Sequence, residues 1–366
     1  QCFEDPALAG LGDIPSDLVE VLTDLAFGSP AIASLRGFVR LFPKEQKAAR
    51  MVAAFRAADS HIHLFNKPES IAAVRLSYAD TQVARFPYWR MVARYCADGC
   101  LQAVLEEYFH LLKEQNVDSR GAIQQLLAAV NLNASTINVD DLNTFHGKTP
   151  RKMRCHYAVE FGSQRIETDE GKQRATSLRE VFNSPFRPFV LATTSIGQEG
   201  LDFHSYCRRV VHWNLPANPV DLEQREGRIN RFKGHVLRQH LARRYGTDLF
   251  RNGADVREDI WDQLFGIADK EERVAKGQCE LIPFWHVDSD GVKIERVVPM
   301  YPFSRDKARL DRILKTLAIY RLAFGQPRQA ELVEHVLQNQ MDSEEESRVR
   351  KTLIINLSPI SGIDRL

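Results

Sequence analysis

Several features that would assign a protein class at once are scarce in this 366-residue sequence. Its cysteines are few and scattered, at Cys2, Cys96, Cys100, Cys155, Cys207 and Cys279. Such scatter in a long chain with no signal peptide argues for free thiols in a reducing compartment, so we expect no disulfide framework and a cytoplasmic location. Cys96 and Cys100 have helical spacing, but no second pair or nearby histidine completes a zinc set, and we therefore expect no metal site.

An excess of charge of one sign is also missing. The chain has 49 basic and 48 acidic residues, which gives a net charge of +1. Binding to a polyanion would therefore have to come from local clustering, and residues 208–251 contain ten Lys or Arg against four Asp or Glu. Arg238, Arg243 and Arg244 in this segment predict a phosphate-facing stripe, with an ordinary solvated helix as the alternative.

Long apolar runs are absent as well. No run approaches the roughly 20 residues that a helix needs to span a bilayer. The 44% hydrophobic content is typical of a soluble globular protein. The sequence therefore predicts a soluble protein without a membrane partner.

The informative part of the sequence lies between Phe189 and Lys233. Residues 189–194 form a short apolar run that ends in two threonines and is followed by Gly197 and Gly200. This pattern predicts a buried parallel strand that leads into a phosphate-facing loop. A second strand is predicted over 209–215, ending before Pro216.

A polar helix is predicted to follow these strands. Asn218-Pro219 has the form of a helix start, because proline is tolerated at the first helical position. Gln224, Arg228 and Arg231 are three or four residues apart and would share one face of that helix. In an open α/β sheet, ligands bind at the carboxyl ends of the strands, where these loops and this helix start would lie.

The segment resembles the C-terminal RecA-like lobe of superfamily-two helicases and translocases, most of all the Swi/Snf and RapA-like branch and bacterial helicase-related proteins. Residues 193–202, TTSIGQEGLD, are similar to the family's motif V, and Gln224-x-x-Gly227-Arg228-x-x-Arg231 is similar to its motif VI. Residues 294–296 and 324–329 also resemble the tail of such bacterial proteins. The resemblance implies an α/β fold, with a RecA-like parallel sheet flanked by helices and helical extensions at both ends.

The same resemblance implies roles for individual residues. Arg228 and Arg231 would be arginine fingers, which stabilise the charge on the γ-phosphate during transfer, with Gln224 as a polar anchor beside them. Contacts to the nucleotide are implied for Glu199, Gly200, Asp202 and Gly227. Contacts to the nucleic-acid backbone are implied for Thr193, Thr194 and Gly197.

Simpler structural explanations exist for each of these residues. Arginines on a polar helix can form a solvated face, and threonines at a strand end can satisfy backbone groups. Asp202 could cap a turn. The pairing of the two motifs in this order favours the functional interpretation.

Two parts of a complete motor are not recognisable in the sequence. A Walker A loop is not formed by Gly147-Lys148-Thr149, because residue 142 is leucine where the first glycine is needed. Asp169-Glu170 lies in a polar run and is a poor Walker B. We therefore expect ATP and Mg²⁺ to bind in a longer protein whose N-terminal RecA-like lobe lies upstream of Gln1. The chain alone is expected to bind no cofactor tightly and to lack appreciable ATPase activity.

The predicted organisation has three parts. Residues 1–84 form a helical region between lobes, residues 85–300 the helicase C-terminal RecA-like domain, and residues 301–366 a helical extension. Strands are expected at 135–139 and 153–161 within the central domain.

The predicted function is that of the C-terminal motor lobe of an ATP-dependent DNA helicase or translocase. DNA is the expected partner with RNA as the alternative, and the sequence predicts no particular accessory subunit. A non-catalytic DNA- or protein-binding module that retains the helicase fold is the competing hypothesis.

Overall fold

The computed structural model describes residues 14–131, 135–139, 146–147, 151–155, 180–186, 189–192, 203–276 and 291–322, with the single residues 331 and 348. The chain divides into two compact units. The first comprises residues 1–158, 184–189 and 255–261, and the second comprises residues 159–183, 190–254 and 262–366. The boundaries predicted at residues 84 and 300 stay predictions.

Helices dominate the first unit. They are α1 (Leu18–Gly28), α2 (Pro30–Leu41), α3 (Lys47–Phe65), α4 (Pro68–Ser77), a 3₁₀ turn (Gln82–Arg85), α5 (Tyr88–Ala97), α6 (Cys100–Glu114) and α7 (Ser119–Val130). Local sequence fixes several starts: the Ser29 hydroxyl accepts from the Ile32 N–H with Pro30 at the first position, and the Asp118 carboxylate accepts from the Gly121 N–H at 2.7 Å. The helical N-terminal region predicted from the sequence is confirmed for residues 18–77.

The core of this unit lies between α2, α3, α6 and α7. Phe38 and Phe109 are fully buried, and their ring centroids are 4.5 Å apart. Alanines 53, 54, 57 and 58 let α3 approach its neighbours closely. Gly28 permits a similar approach of α1 to α5, because a Cβ there would lie 2.2 Å from the Ala97 Cα. Apolar shape therefore determines how these helices pack.

A hydrogen-bonded polar network around the buried Asp259 also belongs to this unit. The fully buried His110 lies 2.9 Å from the Asp259 carboxylate, and the Lys113 ammonium lies 3.2 Å from the same group. Burial opposes ionisation of Asp259, but the contacts with His110 and Lys113 outweigh it and lower the pKa to about 2. The carboxylate also caps the next helix by accepting from the Trp261 N–H at 3.0 Å.

One stretch of the described residues, 18–41, is long and apolar enough to cross a membrane by length and composition. It is an exception to the prediction that no apolar run approaches bilayer length. The helix is interrupted at Ser29, and α2 packs its apolar face on α3 and α6. Core helices and signal sequences have the same composition, so the stretch is weak evidence for a membrane span.

A hairpin-like pair of strands completes the first unit. β1 (Ser135–Val139) pairs antiparallel with β2 (Arg151–Cys155), in register from Ser135 opposite Cys155. The strand predicted at 135–139 is confirmed, as is the described part of the strand predicted at 153–161. A Walker A loop joins a strand to a helix, whereas here Gly147 lies in a turn with φ 76° and the next described element is the antiparallel partner strand.

The second unit contains β3 (Arg209–Val211), α8 (Pro219–Gly227), α9 (His235–Arg251), most of α10 (Ile260–Lys276), β4 (Glu295–Val297) and α11 (Asp306–Leu322). β3 and β4 are parallel, with Arg209 opposite Glu295. The His212 N–H donates to the Val297 carbonyl at 2.8 Å and extends the pairing by one residue.

The sheet is smaller in the described residues than the sequence predicted. The segment 189–192 is not a strand there, and Phe189 and Val190 are 68% and 83% exposed. An apolar run needs a neighbouring strand to form a ladder, and none pairs with this one among the residues that are described. β3 ends at Val211 rather than residue 215, because the Trp213 N–H turns back to the Val211 carbonyl.

Candidate functional site

Helix α8 carries the residues similar to motif VI. It begins where the sequence predicted: the Asn218 side chain accepts from the Val220 N–H at 2.9 Å, and Pro219 occupies the first helical position. Leu222 is fully buried against Leu215 and Ile313. The helix is thus fixed at its start and along its apolar face.

The predicted helix does not continue through the arginines. α8 ends at Gly227, and residues 228–234 form a turn before α9, which we call the arginine turn. The N–H groups of Arg228 and Ile229 bond to carbonyls only three residues back, and Arg231 Nε donates to the Gly227 carbonyl at 3.1 Å. Because these short-range bonds tighten and close the last turn, the helix ends before Arg231, and the prediction that Gln224, Arg228 and Arg231 share one helical face is wrong for Arg231.

The two arginines differ in exposure. Arg231 is exposed, as is Gln224, whereas Arg228 is half-buried. The Nε of Arg228 is buried and has no hydrogen-bond partner among the described residues. A buried guanidinium donor in this state is costly unless a group outside the described residues, such as a ligand or a water, accepts its hydrogen bond.

The arginine turn is joined to the segment that follows the motif V-like residues. The Phe203 N–H donates to the Arg228 carbonyl at 3.0 Å, and Phe203 directly follows Asp202 in the sequence. Beneath this bond, Phe203 packs on Phe182 with ring centroids 5.5 Å apart, and Ile229 belongs to the same buried cluster. The residue that directly follows the motif V-like segment is therefore in contact with the residues similar to motif VI.

Hydrogen bonds from His235 and Arg238 also join the start of α9 to the residues that follow Phe203. The His235 N–H donates to the His204 carbonyl at 2.9 Å. Arg238 is fully buried and donates to the Ser205 carbonyl and, at 2.6 Å, to the Lys233 carbonyl. The predicted phosphate-facing stripe is consequently wrong for Arg238, because its guanidinium bonds main-chain carbonyls inside the unit.

Glycine and a left-handed residue shape the end of the arginine turn. Lys233 has φ 57°, and the following residue, Gly234, leaves no room for a side chain. A Cβ on Gly234 would lie 2.8 Å from the Arg231 carbonyl oxygen. The main chain beside Arg231 is therefore fixed by close packing.

Glu226 is an important residue that the sequence interpretation missed. Arg296 on β4 binds its carboxylate through two nitrogens, at 2.5 and 2.7 Å, and the buried His212 donates from Nε2 at 3.2 Å. Burial opposes ionisation of Glu226, but these bonds outweigh it and lower its pKa to about 2. The bonds fix the end of α8, and so the start of the arginine turn, to the β3–β4 pair.

A weak signal for this contact was present in the sequence. Arg296 lies in the segment 294–296 that resembles the tail of helicase-related proteins. Nothing in the sequence paired it with Glu226, because the two residues are 70 positions apart. Sequence spacing reveals helical neighbours but not partners on another element.

Several predicted site residues lie outside the described residues. They are Thr193, Thr194, Gly197, Glu199, Gly200 and Asp202. Their roles at the nucleotide and at the nucleic-acid backbone stay predictions. Gly227 is described as the last residue of α8, next to Arg228.

Comparison with protein families gives one match. Residues 151–233 match the family model described as the helicase conserved C-terminal domain. Comparisons with curated proteins and with solved structures give no match. The matched residues begin at β2, include both motif-like segments and end within the arginine turn, and they support a helicase-type C-terminal lobe with a RecA-like fold in this chain.

Proposed function

We propose that this chain is the C-terminal motor lobe of an ATP-dependent DNA helicase or translocase of superfamily two, in the Swi/Snf and RapA-like branch. It would work in the bacterial cytoplasm with an N-terminal RecA-like lobe. RNA is the alternative substrate. Arg228 and Arg231 are the arginine fingers of this proposal, and Gln224 is a polar anchor next to them.

The observation that carries the proposal is the state of Arg228. Its main-chain carbonyl is bonded to Phe203, while its buried Nε has no partner among the described residues. The backbone of Arg228 is thus fixed by a hydrogen bond, while its side-chain Nε is still able to donate one. A phosphate oxygen is the acceptor that a planar guanidinium suits best, so the residues present fit ATP.

ATP would supply the transferable γ-phosphoryl group, with Mg²⁺ held by the N-terminal lobe. The chain's own contribution is electrostatic. Two guanidiniums on a fixed turn place positive charge where negative charge develops, without having to reorganise during the reaction. Glu199, Gly200, Asp202 and Gly227 would contact the nucleotide in this proposal.

Nucleic acid would be held by main-chain and hydroxyl groups of Thr193, Thr194 and Gly197, which contact backbone rather than bases. Coupling between the two ligands would pass through the short segment from residue 193 to Phe203. The Phe203–Arg228 hydrogen bond supports this coupling, because movement of one segment must move the other.

The test is the double variant Arg228→Gln, Arg231→Gln in the full-length protein. We expect DNA-stimulated ATP turnover to fall by about 10³-fold or more, as for other arginine fingers, while DNA affinity stays within about twofold. The matched control is Arg56→Gln, Arg85→Gln, which removes two exposed arginines from the first unit and should leave turnover unchanged.

Unchanged turnover in the double variant would reject the motor and favour the non-catalytic DNA- or protein-binding module. The chain without its N-terminal lobe provides a second check. It should show no motor-like ATP turnover, and rapid turnover by the chain alone would contradict the proposal.

A further inference from the structure

The helix α11 carries an unusual row of basic side chains. Arg305, Arg309, Arg312 and Lys315 follow one another at spacings of three or four residues and are all exposed. At these spacings Arg309, Arg312 and Lys315 lie along one side of α11, and Arg305 is the residue immediately before the helix. We call this row the basic face.

The charged groups of the basic face have no ion-pair or hydrogen-bond partner among the described residues, although Asp306 and Asp311 lie in the same helix. Other arginines of the second unit do have such partners. Arg209 pairs with Glu295, and Arg273 pairs with Asp269. Like charges at helical spacing disfavour a helix, so local stability does not explain the row.

The opposite side of α11 explains how the row is held. Ile313 is buried against Leu222 and Leu215, and Leu310 and Leu314 pack on the same cluster. Leu222 belongs to α8, the helix that ends at the arginine turn. The basic face is thus the outer surface of a helix that is packed directly on α8.

We propose that the basic face of α11 binds the phosphate backbone of a nucleic acid, as a surface additional to the motif V-like residues. Cations three or four residues apart are spaced about 4.5–6 Å along a helix, which allows several to approach one line of phosphates. Three of the four are arginines, whose fork engages two phosphate oxygens. A row of exposed cations is complementary to a polyanion, and no acidic side chain among the described residues forms an ion pair with it.

This surface does not depend on the arginine fingers. Arg228 and Arg231 serve phosphoryl transfer in the proposed function, whereas the basic face would serve sequence-independent affinity. Loss of phosphoryl transfer should therefore leave nucleic-acid affinity measurable, and loss of that affinity should leave phosphoryl transfer measurable.

The experiment measures binding of the chain to a labelled DNA duplex of random sequence by fluorescence anisotropy at several salt concentrations. The variant is Arg305→Gln, Arg309→Gln, Arg312→Gln. Because each lost phosphate contact reduces the slope of log affinity against log salt by about 0.9, we expect a reduction of about 2.7 and at least about tenfold weaker binding at low salt.

Two matched variants make the test specific. Arg305→Lys, Arg309→Lys, Arg312→Lys keeps the charge and should retain affinity within about threefold. Lys44→Gln, Lys47→Gln, Arg56→Gln removes three exposed cations from the first unit and should leave the slope unchanged. Circular dichroism would verify that every variant keeps its helix content.

An unchanged slope in the glutamine variant of α11, or an equal loss in the first-unit control, would overturn the proposal. So would a poly-glutamate peptide that competes with DNA at equal charge concentration, because it would identify an acidic protein as the partner. DNA binding retained by Arg228→Gln, Arg231→Gln but lost by the α11 variant would separate this surface from the proposed nucleotide site.

Discussion

The helical core of the first unit and the arginine turn of the second are held in position by different forces. In the core, fully buried rings such as Phe38 and Phe109 pack against each other and against small alanines. In the arginine turn, the main-chain carbonyls of Arg228 and Lys233 receive an N–H donor from Phe203 and a guanidinium donor from Arg238. Apolar packing is non-directional and specifies a shape, whereas hydrogen bonds specify the position of single groups.

The difference suits what each region has to do. Close packing of apolar side chains keeps the helices of the first unit folded. In the proposed function, the arginine turn presents charged side chains to a nucleotide and must fix their positions precisely enough for electrostatic stabilisation, and directional bonds supply this. Arg238 and Glu226 illustrate the second case, since each uses its charge to hold main chain or a neighbouring element rather than to face solvent.

The largest effect on stability is expected from the core. Phe109→Ala should lower the free energy of unfolding of the first unit by about 3–5 kcal/mol, because it removes a buried ring and leaves a cavity beside Phe38. Hydrogen exchange of residues 100–114 would accelerate, while residues 219–238 should be unaffected. The control is Phe55→Ala, since this ring is 72% exposed and should contribute less than about 0.5 kcal/mol. Equal effects of both changes would contradict the packing argument.

A smaller effect is expected from Glu226→Gln. The change removes the charge that Arg296 and His212 bind, and we expect local destabilisation of residues 219–231 by about 1–2 kcal/mol near neutral pH. Hydrogen exchange at those residues measures it. Asp255→Asn breaks an exposed pair with Arg257 and should change nothing measurable.

Acid gives a second measure of the same contact. The pKa of Glu226 is lowered from 4.5 to about 2, so its contribution is fully present above pH 4.5 and is lost as the pH falls towards 2. Glu226→Gln should flatten the pH dependence of exchange at residues 219–231 within this window. If the pH dependence persisted unchanged, another carboxylate would have to be responsible.

The smallest effect is expected from a pair of glycine substitutions. Gly234→Ala should destabilise the arginine turn by about 1 kcal/mol, because the new Cβ would lie 2.8 Å from the Arg231 carbonyl oxygen. Gly246→Ala in α9 has open space around the new methyl group and should instead stabilise the helix by about 0.5–1 kcal/mol. Thermal unfolding should show a lower midpoint temperature for Gly234→Ala and a higher one for Gly246→Ala. Destabilisation by both would show that crowding is not the cause.

The sequence by itself determined local events. It specified the starts of α2 and α8 through a capping side chain followed by proline, the strand at 135–139, and the pairing of two motif-like segments that the helicase family match supports. Capping, proline geometry and motif spacing act within a few residues, and they can therefore be read along the chain.

Only the tertiary structure decided where α8 ends, which arginines are buried, and what Glu226 binds. The sequence periodicity predicted a helix that continues through Arg231 and an Arg238 that faces phosphate. In the structure, Arg231 Nε donates to the Gly227 carbonyl and the Arg238 guanidinium donates to the Ser205 carbonyl. Glu226 meets Arg296 across 70 positions of sequence. The physical reason is that the partner of a charged side chain depends on distance in the folded structure, and a sequence pattern contains no distances between separate helices and strands.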